Sequence, residues 1–343
     1  MQTVDSKILL IYTGGTIGMM KDYQTGTLRA FEFEHIHQRI PELSHLDCTI
    51  HSVSFDKAID SSDMNPNHWR QLADAIYTNY GEYDGFVVLH GSDTMSYSAS
   101  ALSFMLENLD KPVIFTGSQL PIGDLRTDAK ENLITSIQLA ALKEDGKPVI
   151  MEVCLYFEYK LYRGNRTTKI NAEQFQAFVS MNYPILAESG VHLKVLKENL
   201  LKNTSSAPFQ IHKEMETDVA ILKIFPGINE VTLSGFFSIP NLKAVVLETY
   251  GSGNIPTSAW FLDCLKKAIE NNIFVVNVTQ CSGGSVIPGK YEAGNYWEKI
   301  GVINGKDITT EAAITKLMYL LKKNISRNMF KTNFEANIRG EIG

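Results

Sequence analysis

Residues 8–18, Ile8-Leu9-Leu10-Ile11-Tyr12-Thr13-Gly14-Gly15-Thr16-Ile17-Gly18 (ILLIYTGGTIG), run an unbroken apolar segment straight into a turn of glycines and threonines. Continuous apolarity over a few residues predicts a strand covered on both faces, the condition of a parallel sheet packed between helices. The same pattern recurs at Gly85–Leu89, Pro112–Thr116, Pro148–Tyr156, Ala244–Glu248 and Ile273–Thr279. Between these runs, Asn67–Tyr80, Ser96–Leu106, Asp128–Leu142, Thr257–Asn271 and Thr310–Lys323 place apolar residues at helical spacing. Alternation of this kind predicts an α/β fold, in which ligands bind beyond the carboxyl ends of the strands. The hydroxyls of Thr13 and Thr16 then stand where a site is expected.

At 343 residues the chain exceeds the roughly 100–200 residues of one domain. The alternation lapses across Leu193–Thr217, a polar segment with Asn203-Thr204-Ser205-Ser206 and Pro208, which predicts a connector. The expected division is a larger N-terminal catalytic α/β domain over 1–195, a linker over 196–217 and a smaller C-terminal α/β domain over 218–343. A formal net charge of −6 without a basic block argues against nucleic acid or anionic lipid as partner and favours a small molecule. Cys48, Cys154, Cys264 and Cys281 are isolated in sequence, with no zinc spacing, and predict a reduced, cytoplasmic location. The apolar segment after Lys7 is too short for a secretory signal, and no run approaches the roughly 20 residues of a membrane span, so no membrane association is expected.

Chemistry concentrates where apolar runs end. At Gly14-Gly15-Thr16 the plain reading is a tight turn with a capping threonine; a phosphate loop would need a Lys-Ser/Thr pair that is missing. Gly85–Met95, GFVVLHGSDTM, ends in His90-Gly91-Ser92-Asp93-Thr94, where Ser92 or Asp93 is expected to cap the following helix. Phe115–Pro121, FTGSQLP, again sets Gly-Ser after a strand, and Asp60–Met64, DSSDM, offers a carboxylate beside two hydroxyls. Lys169, in Leu161–Asn171 (LYRGNRTTKIN), reads on its own as a solvated surface group. His35 and His37 stand alone, and no histidine falls in an evident Ser/His/Asp set.

Together, ILLIYTGGTIG, GFVVLHGSDTM, TGSQLP, LYRGNRTTK and YGSGN resemble, in order and at family-like intervals from Ile8 to Gly340, the bacterial-type L-asparaginase family and its cytoplasmic type I members. The resemblance implies a larger N-terminal flavodoxin-like parallel-sheet domain, a smaller C-terminal α/β domain, and intimate homodimers that often pair into homotetramers. It implies hydrolysis of L-asparagine to L-aspartate and ammonia, with neither metal nor cofactor. Thr16 is then the nucleophile. Ser92, Asp93 and Lys169 form the hydroxyl-carboxylate-lysine set, in which Lys169 relays a proton through Ser92 and Asp93 meets the substrate ammonium. Gly15, Asp60, Ser61, Ser62 and Ser118 join Ser92 and Asp93 in holding the substrate.

Departures from the family pattern are informative. Ser92 stands where the family usually has threonine, and keeps the hydroxyl. After the nucleophile many members carry a glycine followed by tyrosine, where this chain has Gly26-Thr27; Tyr291, reaching a neighbouring subunit, or Tyr23 is the expected substitute. Glu248 replaces an arginine with which some relatives bind effector asparagine, so effector binding is not expected there, although Thr168 and Cys281 match other parts of that site. A dual glutaminase-asparaginase remains open, as does a catalytically silent amino-acid sensor. An amidase part of an RNA-linked amidotransferase would call for an added module ahead of Ile8, already the first strand.

Overall fold

The computed structural model describes residues 6–21, 28–30, 40–202, 206–288 and 294–343. Its contacts divide the chain into two compact units, Met1–Ser180 with Pro184–Lys213, and Met181–Tyr183 with Glu214–Gly343.

The first unit is built on β1 (Ser6–Gly14), β2 (Cys48–Ile59), β3 (Gly85–Leu89), β4 (Val113–Thr116) and β5 (Val153–Phe157), extended by β6 (Lys160–Arg163), β7 (Ala187–Glu188) and β8 (Lys194–Val195). These form one eight-stranded sheet in the order β8-β7-β6-β5-β4-β3-β1-β2. The first five strands are parallel; β6, β7 and β8 pair antiparallel. The parallel part therefore reads 2-1-3-4-5, the flavodoxin-like order, whose direction of winding reverses between β1 and β3. Ile8–Ile11, Phe86–Leu89 and Val113–Phe115 are fully buried, as their continuous apolarity requires. The helices α1 (Pro66–Asn79), α2 (Met95–Met105) and α3 (Ala129–Ala141) follow β2, β3 and β4.

Strand β2 escapes the apolar pattern because it is an edge strand: Ser54, Asp56 and Lys57 face solvent, and only Ile50 along it is buried. The expected strand over Pro148–Tyr156 starts later, at Val153, since Lys147–Pro148 pairs back on Lys143–Glu144. Part of the anticipated connector is tied down within this unit. Buried Glu152 pairs with Arg163 Nε at 2.6 Å and accepts from the Leu201 N–H at 2.7 Å, while Arg163 Nη2 donates to the Asn199 carbonyl at 2.9 Å. Farther along, Gln210–Ile211 pairs with Leu106–Glu107.

The second unit carries a four-stranded parallel sheet in sequence order, β9 (Val219–Lys223), β10 (Ala244–Thr249), β11 (Phe274–Thr279) and β12 (Ile303–Asn304). Its helices are α4 (Glu230–Phe237), α5 (Ala259–Glu270), α6 (Gly294–Lys299), α7 (Thr310–Leu320) and α8 (Arg327–Glu335). Val245, Leu247, Phe261, Leu265, Val275 and Trp297 make the core against one face of the sheet.

Candidate active site

For this topology a ligand is expected beyond the carboxyl ends of β1 and β3. In the register Tyr12 lies beside Leu89, and Leu89 beside Thr116, so the loops after all three strands begin at one level. Thr13 Oγ1 donates to the Leu89 carbonyl at 3.0 Å and locks the exits of β1 and β3 together. Gly14 and Gly15 then take φ of 138° and 86°, values that favour glycine. A Cβ on Gly15 would lie 2.4 Å from the Gly91 nitrogen, and one on Gly91 would lie 2.5 Å from Ser61 Oγ. Three loops thus converge, those after β1 and β3 backbone to backbone and the one after β2 through the Ser61 side chain. Thr16 and Ser92 each follow the glycine at that contact.

Thr16 opens a single 3-10 turn, Thr16–Gly18, closed by the Gly18 N–H on the Gly15 carbonyl at 3.2 Å. Its side chain is half-buried and has no hydrogen bond among the described residues. The residue that caps this turn is Gly15, and the Thr16 hydroxyl bonds no backbone group of it, so the structure does not use Thr16 as the cap.

The loop after β2 is held by its own carboxylate. Asp60 accepts from the Ser62 N–H at 3.0 Å and from Ser62 Oγ at 2.9 Å, and these bonds hold its carboxyl below the ordinary range. Ser61 is buried, and its carbonyl accepts from Thr94 Oγ1 at 2.7 Å. That bond corrects the capping expectation: the residue preceding α2 is Thr94, not Ser92 or Asp93, and its hydroxyl fastens the neighbouring loop instead of the helix. Ser92 and Asp93 are therefore free for other partners.

Those partners come from far along the chain. Lys169 Nζ donates to Ser92 Oγ at 2.8 Å and to Asp93 Oδ1 at 2.7 Å. The lysine side chain is 16% exposed, so the surface reading of Lys169 fails as well. Its strand position is fixed by pairing with Phe178 and by Thr167, whose hydroxyl bonds Ser96 Oγ at 3.1 Å on α2 and the Gly164 carbonyl at 2.8 Å. Asp93 itself is exposed and open to a ligand. His90, next to this set, is neutral near neutral pH and supplies neither a cation nor an acidic proton there. Burial pushes its pKa down to about 4, only partly opposed by its 2.7 Å bond to the Gly91 carbonyl.

Ser118 is buried and bonds the Leu120 carbonyl within its own loop at 2.6 Å. Its neighbour Gln119, unnoticed in the sequence, faces the set: Ser92 Oγ lies 3.4 Å from Gln119 Oε1, and Gln119 Nε2 donates to the Gln174 carbonyl at 2.9 Å. Nothing local marks Gln119 beyond its place after a strand-end Gly-Ser. Tyr291, Tyr23 and Thr27 lie outside the described residues. Glu248, at the end of β10, accepts from Thr310 Oγ1 at 2.7 Å and has Lys223 Nζ 4.0 Å away.

The family model described as "Asparaginase, N-terminal" matches residues 7–201, and that described as "Glutaminase/Asparaginase C-terminal domain" matches residues 218–334. The L-asparaginase 1 of Escherichia coli (strain K12) is 43% identical over 343 residues, covering 98% of this chain and 97% of that protein. A Mus musculus protein named 60 kDa lysophospholipase is 40% identical over 360 residues, covering 98% of this chain and 63% of its own length. The crystal structure of L-asparaginase I from Vibrio cholerae superimposes with a TM-score of 0.88 at 38% identity, covering 99% of this chain and 100% of that one.

Proposed function

This chain belongs to the asparaginase family, and from that premise we propose that it hydrolyses L-asparagine to L-aspartate and ammonia, with Thr16 as the nucleophile. The observation that carries the reading is the link from Lys169 to Ser92 and Asp93, beside a threonine whose hydroxyl is uncommitted. A threonine hydroxyl is a weak nucleophile and needs a positioned proton acceptor. As Thr16 Oγ1 bonds to the side-chain amide carbon, its proton leaves toward the Ser92–Lys169 pair, across which Nζ and Oγ are at transfer distance. Collapse of the tetrahedral adduct expels ammonia, which takes up a proton as the carbon–nitrogen bond breaks, and leaves an ester on Thr16. Water then attacks that ester, giving its proton to the same pair; L-aspartate departs and the Thr16 hydroxyl is regenerated. Asp93 pairs with the substrate ammonium, and the Asp60–Ser62 loop with Gly15 and Ser118 shapes the pocket for the rest of the zwitterion.

In the same reading the N-terminal part of the chain carries the chemistry and the C-terminal part completes the subunit. We place the enzyme in the cytoplasm as a homo-oligomer whose Tyr291 serves the neighbouring Thr16. Among the described residues none of the four cysteines forms a disulfide, in keeping with a reducing compartment, and no helix is long and apolar enough to cross a membrane.

Ammonia release from L-asparagine and L-glutamine, assayed in parallel, tests the reading. Ammonia release from asparagine is the expected outcome, the glutamine rate deciding whether the enzyme is dual, and Thr16→Ala, purified free of host enzyme, should lose activity by about 10⁴-fold or more with unchanged melting temperature. Near-wild-type turnover in that variant would remove Thr16 from the mechanism.

A further inference from the structure

The loop after β4 has a second set of contacts that the chemistry above leaves unassigned. Asp128 immediately precedes α3, yet its side chain makes no bond to the first turn of that helix. Its buried carboxylate instead accepts the Gln119 N–H, at 3.1 and 3.0 Å from its two oxygens, and the Leu120 N–H at 3.2 Å. One turn along α3, buried Asn132 donates through Nδ2 to the Gly117 carbonyl at 3.0 Å and to Asp128 Oδ2 at 3.3 Å. Asn132 Oδ1 in turn accepts from the Glu158 N–H at 3.1 Å. Both the carbonyl and the N–H groups of the Gly117–Leu120 backbone are therefore gripped from the helix.

The arrangement is costly. Burial pushes the Asp128 carboxyl up in spite of these bonds, and the Glu158 carboxyl on the β5–β6 turn is pushed up in turn by its own burial and by the charges of Asp128 and Glu131. An ordinary helix start needs no such carboxylate, because a serine or asparagine capping its own helix serves equally well. What the grip holds is the residue facing the reacting set. Gln119 stands against Ser92 Oγ and, through the Gln174 carbonyl, against the segment that follows Lys169. Asn171 Oδ1 fixes that segment by accepting the Glu173 and Gln174 N–H groups at 2.8 Å each.

We propose that Asp128, braced by Asn132, is a positioning residue of the hydrolytic site, holding the Gly117–Leu120 loop so that Gln119 orients the Ser92 hydroxyl between Lys169 and the substrate. The inference rests on the reading of Ser92 and Lys169 as the proton-transfer pair. Asp128→Asn is close to isosteric but turns an N–H toward the Gln119 and Leu120 donors. Its kcat for asparagine should fall about 10–100-fold with KM within about threefold, the signature of misplacement and not of lost binding. Amide hydrogen exchange at Gln119 and Leu120 should quicken by at least about tenfold, while the β-strand amides keep their protection. Asp128→Glu, which restores a carboxylate, should recover part of the rate. Gln119→Ala, at a half-exposed position, should reproduce the kcat loss even if the Asp128 variants fold poorly.

Unchanged kcat in Asp128→Asn, or fast exchange of the two amides with unchanged kcat, would overturn the positioning role; so would full kcat in Gln119→Ala. Lys169→Met, run alongside, separates the two readings. Full activity there removes the proton-transfer pair itself, whereas its loss together with an undisturbed Asp128→Asn removes only Asp128.

Discussion

Both parallel sheets end in polar, glycine-rich loops at their carboxyl edges, but among the described residues it is the N-terminal edge that brings a lysine onto a serine hydroxyl. In the C-terminal unit four side chains at the strand ends are taken up by neighbouring loops. Thr249 Oγ1 donates to Asn277 Oδ1 at 2.6 Å, Asn277 Nδ2 to the Gly253 carbonyl at 3.0 Å, Thr279 Oγ1 to the Gly251 carbonyl at 2.6 Å, and Gln280 Nε2 to the Ile224 and Glu248 carbonyls. In the N-terminal unit Thr13 and Thr94 are consumed in the same way, fastening loop to loop, but Thr16 is not, and Ser92 is held by a lysine. A polar strand end is thus the default of this architecture, and a saturated one rigidifies the sheet edge. Chemistry needs the further step of withholding a hydroxyl from the network and bringing a distant charge to it.

The contrast can be broken by substitutions that should act on one unit's function and the other's stability. Lys169→Met, a neutral side chain of similar length, should lower kcat for asparagine by about 10²–10⁴-fold while barely moving the melting temperature. Full turnover would mean that the N-terminal edge is as purely structural as the C-terminal one.

The converse is expected at Lys316 on α7, fully buried with Glu341 as its ion-pair partner and the Ala336 carbonyl at 2.6 Å. Lys316→Met strands the Glu341 carboxylate, and removal of one member of a buried pair costs about 3–5 kcal/mol. Urea unfolding should register that loss, with kcat per folded chain unchanged. A stable variant would show that the buried pair is replaceable by apolar packing.

A smaller and graded effect follows from acid. Burial of Glu216 pushes its carboxyl up, but the bond from Lys243 at 2.5 Å, the Asp218 and Thr217 N–H groups and the Lys243 charge outweigh it and bring the pKa down to about 2. A carboxyl depressed in the folded state stabilises fully above its unfolded value near 4.5, and that share is lost as pH falls toward 2. Denaturant midpoints followed from pH 6 to pH 3 should therefore fall less steeply in Glu216→Gln than in the wild type. Parallel curves would place the acid sensitivity elsewhere.

The central parallel strands of both units were legible because a strand buried on both faces has no room for polar side chains. Strand β2 was hidden by its exposed Ser54, Asp56 and Lys57, and the brief antiparallel strands β6, β7 and β8 are too short to show a period. At the site, the residue types after each strand pointed to the crevice, but nothing local distinguished Lys169 from a solvated lysine. Its partners lie 77 and 76 positions away, and only the family resemblance joined them. Asp128 looked like an ordinary helix start, because sequence spacing reports which helix a carboxylate precedes and not which loop it turns toward.

The contact of Gly15 with Gly91 also determines how this chain can vary. A Cβ on Gly15 meets the Gly91 backbone at 2.4 Å and one on Gly91 meets the buried Ser61 at 2.5 Å, so neither position can accept a side chain without displacing the neighbouring loop it touches. In a saturation library selected for asparagine turnover, positions 15 and 91 should return glycine alone. Positions 16 and 92 should return hydroxyl residues, and the exposed Ser62 should tolerate the most. Any diversification toward another amide substrate then has to be sought along the Asp60–Ser62 loop, because the floor beneath the nucleophile offers no tolerated alternatives from which selection could choose.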